Sequence, residues 1–156
     1  VAGPKSPGGG GTPLTPKLGG GNYPAANGAA GHGHFATTGI LRRQESHLMR
    51  DIVDGTSNTL IIGEISWNNA NHYRAWNRGI SGTNAGASVK NIQNPINAVP
   101  YNGADNFNDV SFGSMHAGGA QFSAADGKVT FLSENIDMMV YRALGSREGQ
   151  EAARLP

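Results

Sequence analysis

The sequence predicts an α+β domain, mainly an antiparallel β-sheet with short helices, preceded by an extended Gly/Pro-rich N-terminal arm. Three observations predict it. Residues 120–124 and 128–132 alternate apolar and polar side chains around Ala125-Asp126-Gly127. Asp-Gly between such runs is the strongest short-range hairpin signal, because Gly takes φ > 0 without a Cβ clash. Residues 59–67 hold the apolar run Leu60, Ile61, Ile62 and Ile65, which reads as a buried strand. Residues 1–21 mix Gly, Pro, Ser and Thr with Lys5 and Lys17, and no acidic residue precedes Glu45.

That last segment sets the domain boundary, with an arm over 1–21 and a globular β-rich domain over 22–156. The arm has too little apolar surface to offset its own ordering entropy. Pro4 and Pro7, then Pro13 and Pro16, repeat at polyproline II spacing. Extended at ~3.1–3.4 Å per residue, it spans on the order of 60–70 Å. Its sizeable apolar anchors are Val1, Leu14 and Leu18. Composition alone suits a flexible linker. The other reading is an arm that orders on a neighbouring subunit, adding to an exposed sheet edge.

The remaining elements follow in order. A short strand is expected over 35–41. Residues 46–53 read as a short helix, with Ser46 as N-cap and Leu48, Met49 and Ile52 on one face. Asp54-Gly55 ends it. The strand over 59–67 follows, and 72–76 is expected to pair with it. Residues 79–108, rich in Asn, Gly and Pro, read as a long surface loop. After the hairpin, 137–144 reads as a helix capped by Asp137, with Met138, Met139, Tyr141 and Leu144 available for packing.

The 156 residues suit one domain. A formal net charge of +1 argues against a nucleic-acid binder that works by neutralising phosphates. With no cysteine, disulfides and thiolate metal sites are excluded. No apolar run approaches the ~20 residues of a membrane span, and no signal peptide is visible.

Candidate chemistry is sparse. Asp54-Gly55-Thr56-Ser57-Asn58 reads as a turn built from side-chain-to-backbone hydrogen bonds. No Gly-x-Ser-x-Gly elbow surrounds Ser57. Glu64 reads as a structural carboxylate that ties down a loop or pairs with a residue such as Arg74. His116 is expected to pack over Gly118 and Gly119 and bond a backbone group. It lies at the opposite end of a strand from Asp126, which argues against a site shared by those two. A hydrolase would need Glu64 and His116, or an Asp, at a distance the spacing does not supply. His32 and His34 fall on one strand face, but a metal site needs a further ligand such as His47 or His72. Asp105, Asn106, Asn108 and Asp109 offer hard oxygens of the kind calcium takes. They match no EF-hand, and a solvated Asn/Asp turn is the favoured reading. Thr12 and Thr15, each before a proline, suit O-glycosylation. No Asn-x-Ser/Thr sequon is present.

Four blocks carry a resemblance. They are Asn22-Tyr23 with Asn27-Gly28, the run DIVDGTSNTLIIGE from Asp51 to Glu64, His116 followed nine residues later by Asp126-Gly127, and LGSREGQE from Leu144. In this order they resemble the prepilin-type-processing-associated His-x9-Asp-Gly family, exported proteins abundant in planctomycete bacteria. The resemblance implies export, a pilin-like globular domain, a surface role and no established enzymatic activity. It also implies a leader and hydrophobic helix upstream, so the chain from Val1 is expected to be a processed mature form, tied to a membrane only through that removed helix.

The expected function is therefore a non-enzymatic structural subunit, secreted to the cell surface. It would form a pilus-like homopolymeric filament and need no cofactor. Its partner is itself. The alternative is a minor pseudopilin or a surface module that binds carbohydrate or another ligand through residues 79–108, with Trp67, Trp76 and Tyr101 nearby.

Overall fold

The computed structural model describes residues 38–41, 46–66, 90–100, 110–149 and 153–156. The arm with Val1, Leu14, Leu18, Thr12 and Thr15 lies outside the described residues. So do the calcium set Asp105, Asn106, Asn108 and Asp109, the histidines His32, His34 and His72, and the expected strand over 72–76.

Among the described residues a three-stranded antiparallel sheet forms in the order β1-β2-β3, with β1 Leu60–Gly63, β2 Gly119–Ala124 and β3 Val129–Ser133. The hairpin between β2 and β3 is the one the alternation predicts. Gly127 N–H donates to Ala124 O (3.0 Å) and Ala124 N–H to Lys128 O (2.8 Å), which makes a three-residue loop. Gly127 sits at φ +92°, a conformation that costs other L-residues about 1–2 kcal/mol.

The strand expected over 59–67 is shorter, and it is irregular. β1 carries a bulge between Leu60 and Ile62, where the register against β2 slips by one residue. The extra residue leaves Ile61 and Ile62 both half-buried instead of alternating. Gly63 is required by packing, since a Cβ there would stand 2.6 Å from the Phe122 ring and 2.8 Å from the Phe112 ring.

The helix over 137–144 forms as expected. It is α1, Met138–Leu144, and Asp137 Oδ1 accepts from the N–H groups of Met139 (2.8 Å) and Val140 (3.1 Å). Seven residues make a helix too short to hold by itself in water. Its anchor is the face bearing Tyr141, Ala143 and Leu144, all buried. Phe122 of β2 receives it edge-on: the Tyr141 ring lies 5.7 Å away at 79°, and Phe112 packs on Phe122 at 5.4 Å and 67°. Burying side chains of this size contributes roughly 1.5–3 kcal/mol each. Burial also pushes the Tyr141 hydroxyl well above the ordinary tyrosine range.

Four expectations need correction. The helix over 46–53 is only a 3-10 turn, Met49–Asp51, where Leu48 N–H donates to Asp51 Oδ2 at 2.7 Å. Leu48 and Met49 are exposed and only Ile52 is buried, so the apolar spacing has no face to pack a full helix against. Met139 points to solvent, 81% exposed, because α1 is tethered by one face. Residues 38–41 are bends, not strand. Finally, residues 90–100 are not all surface: Lys90, Asn91, Ile92 and Ile96 are buried, and the two isoleucines join the core with Leu60, Phe122 and Leu155. The ammonium of Lys90 lies 5.6 Å from the centroid of the Phe112 ring, a cation–π geometry that helps to offset its desolvation.

Candidate functional site

The motif residues gather at the two ends of this sheet. At the hairpin-tip end, the 54–58 turn is the hub. Gly55, at φ +94°, lets Asn58 N–H and Thr59 Oγ1 both reach its carbonyl, at 2.9 and 3.1 Å. The turn then binds the hairpin tip: Ala125 N–H donates to Thr59 O (2.8 Å) and Asp126 N–H to Thr56 O (3.1 Å). The Ser57 side chain, then the Lys128 N–H (2.8 Å), hydrogen-bonds the Asp126 carboxylate and holds its pKa below the usual range.

The same turn binds the end of the chain. Asp54 Oδ2 accepts from Gly149 N–H (2.8 Å), Asp54 N–H donates to Arg147 O (3.2 Å), and Asn58 Oδ1 accepts from Leu155 N–H (3.4 Å). Arg147 is buried. Its N–H donates to Thr38 O (2.9 Å), its Nη1 to Gly39 O (3.1 Å) and its Nη2 to Glu148. Three of the four blocks read separately along the sequence thus meet at one junction. Asp54, Gly55, Asn58 and Gly127 all take part in its turns and hydrogen bonds. Ser57 is engaged with Asp126.

The far end is different. After Gly63 the chain leaves the sheet, and Glu64 closes the ladder in an unusual way. Its N–H donates to Gln121 O (3.0 Å), but its carbonyl turns away to accept from Gly113 N–H (3.0 Å). The carboxylate fills the vacated place: Oε2 accepts from Gln121 N–H at 2.7 Å. The side chain therefore stands in for its own carbonyl, and Glu64 is 5% exposed.

Its other oxygen, Oε1, lies 3.6 Å from His116 Nε2. That distance is too long for a hydrogen bond. His116 is 57% exposed. The sequence reading gives His116 a backbone partner and does not anticipate Glu64 beside it. The pair comes together because β1 runs antiparallel to β2, which brings Glu64 beside Gln121 near the start of β2. His116 lies just before that start.

Asn97, Ser114 and Glu134 complete this end, and sequence reasoning missed all three. Asn97 sits at φ +64°. Its Oδ1 accepts from Ser114 N–H (2.9 Å) and its Nδ2 donates to Glu134 Oε2 (3.0 Å). Asn is among the few non-Gly residues that tolerate this conformation, so Asn94-Pro95-Ile96-Asn97 carried a usable turn signal. Ser114 Oγ donates to Gly119 O (2.7 Å) and accepts from His116 N–H (2.9 Å), which commits it to the turn.

The half-exposed His116 imidazole and the buried Glu64 carboxylate form one polar contact at this end. Asp126 takes no part, since a six-residue strand puts the hairpin tip roughly 20 Å away. No group of three or more His, Asp or Glu able to hold a metal occurs among the described residues. No helix among them is long and apolar enough to cross a membrane.

No curated protein and no solved structure matches this chain. The model of a family described as "Protein of unknown function (DUF1559)", SBP_bac_10, matches residues 3–139. That match covers most of the 156 residues, and the chain belongs to the DUF1559 family.

Proposed function

We propose that the chain is the structural subunit of an extracellular, pilus-like homopolymeric filament, in which the arm over 1–21 docks on neighbouring subunits. The observation that carries this reading is how the motif residues are used. Asp54, Asn58, Asp126 and Arg147 bond turns and chain ends to one another. Such residues define a fold that presents a surface. The resemblance to the His-x9-Asp-Gly family, whose members are exported and pilin-like, supports the same reading, and so does the Gly/Pro arm. A head-to-tail contact whose rotation does not close generates an open filament. On this reading the protein is secreted, needs no cofactor and has itself as partner. Calcium at 105–109 and O-linked sugar at Thr12 and Thr15 are additions the reading accommodates without needing them.

The test is deletion of residues 1–21, followed by negative-stain imaging and sedimentation. Folded, soluble subunits that no longer form filaments are expected. Filaments of normal length from the deleted chain would overturn the arm mechanism.

One observation favours a second reading. Glu64 and His116, which a hydrolase would use, are 3.6 Å apart. Against it, Glu64 Oε2 is spent on Gln121 N–H and Ser114 Oγ on Gly119 O. We therefore read the pair as a fastening of the sheet end. A hydrolytic activity of the purified chain that disappears in His116→Ala would reverse that preference.

A further inference from the structure

We propose that β3 is a self-association edge, pairing antiparallel with the β3 of a second copy of this chain about a two-fold axis at Phe131. The ladder with β2 decides where its backbone points. Ala124 N–H donates to Lys128 O and Glu134 N–H to Gly118 O, both at 2.8 Å. Hydrogen-bonded pairs alternate along an antiparallel ladder. Lys128, Thr130, Leu132 and Glu134 therefore direct their backbone groups toward β2, while Val129, Phe131 and Ser133 turn theirs to the open edge. Among the described residues no strand lies beyond β3. The Val129 and Phe131 backbone groups have no partner among them, whereas Ser133 O accepts from Ile136 N–H at 3.0 Å.

An edge of this kind is a template for another strand. This one also exposes apolar surface, with Val129 64% and Phe131 41% accessible. Charge selects the occupant. When the pairing is centred on Phe131, Lys128 of each copy stands opposite Glu134 of the other, twice by symmetry. Phe131 then meets Phe131 in the pair that exchanges both hydrogen bonds, and Val129 faces Ser133. A slip of two residues either way sets Lys128 against Leu132 or Ile136, and both opposite-charge contacts are lost. Lys128 Nζ also reaches Pro156 O, and Glu134 Oε2 accepts from Asn97. An ammonium has three donors and a carboxylate a second oxygen, so each keeps capacity for the new contact. The result is one sheet continuous through two copies, made without the arm.

Sedimentation velocity of the full chain over rising concentration tests this, with amide exchange read at Val129 and Phe131. Once any filaments are pelleted, a monomer–dimer equilibrium is expected in the supernatant, with both amides protected as dimer forms. Lys128→Glu and Glu134→Lys should each weaken the dimer by at least about tenfold, since two like-charge contacts replace two opposite ones. The double variant should bring it back to within about threefold of the wild type. Circular dichroism establishes that each variant is folded. A monomer at every concentration, or a dimer indifferent to both reversals, overturns the proposal. The arm reading fails separately: a dimer that vanishes when residues 1–21 are deleted assigns the contact to the arm and overturns the β3 contact. A dimer that survives the deletion supports it, whatever the filaments do.

Discussion

The two ends of the small sheet use the same kinds of residue for opposite arrangements. At the hairpin tip, Asp54, Asp126 and Asn58 each accept from a backbone amide, and the buried Arg147 donates to the Gly39 carbonyl and the Glu148 carboxylate. At the far end one carboxylate is buried against a single amide, and its second oxygen faces a half-exposed imidazole. The first end is closed chemistry, in which main chain meets side chain and little is left over. The second keeps one carboxylate–imidazole contact at the surface. The contrast teaches that one short block can serve both ends of a sheet: Asp54 closes the junction at the tip, and Glu64 of the same block faces His116 at the other end.

The contrast can be broken most sharply at Arg147. Removing its side chain leaves the Gly39 carbonyl buried and opens a hole in the junction. Arg147→Ala should therefore lower unfolding stability by about 2–4 kcal/mol, read by chemical denaturation. A loss of under about 0.5 kcal/mol, typical of surface sites, would show that the junction is not what holds this end.

Glu64 sharpens the other side. Glu64→Ala strands the Gln121 N–H and should cost about 1–3 kcal/mol. Glu64→Gln keeps an acceptor there and should cost less. If both variants are equally destabilised, the carboxylate's charge toward His116 matters more than its place in the ladder. Hydrogen exchange at Gln121 separates the two cases.

The smallest effect is expected at Asp126, which is exposed. Hydrogen bonds from Ser57 and then Lys128 depress its folded pKa. Its stabilisation is thus present above the unfolded value of about 4, and is lost as pH falls through the lower folded value. Asp126→Asn should be the less stable protein at neutral pH, and the difference should narrow in acid below about pH 4. Denaturation curves at pH 7 and at pH 2.5 check this. A gap that widens in acid would reverse the sign.

Much of the fold was legible where the local pattern is also the global one. Asp126-Gly127 specifies a turn whatever surrounds it, and Asp137 caps α1 through its own next residues. The helix expected over 46–53 was not legible, because its apolar spacing finds packing for Ile52 alone. The bulge in β1 was hidden for a similar reason: Leu60, Ile61 and Ile62 are interchangeable as a pattern, and only the partner strand shows which residue is extra. At the candidate site, each half of the Glu64–His116 pair was visible as a residue, but their meeting was not. It depends on the register between β1 and β2.

The sequence by itself therefore determined the turns, the caps and the composition of the arm, since these rest on φ preferences and hydrogen bonds within a few residues. Tertiary structure alone decided that Glu64 replaces its own carbonyl beside His116, that Arg147 closes the junction, and that among the described residues β3 stands at the edge of the sheet. Each of these joins segments far apart in the chain. Their meeting is set by strand pairing and core packing around Phe122, which local residue preferences do not encode.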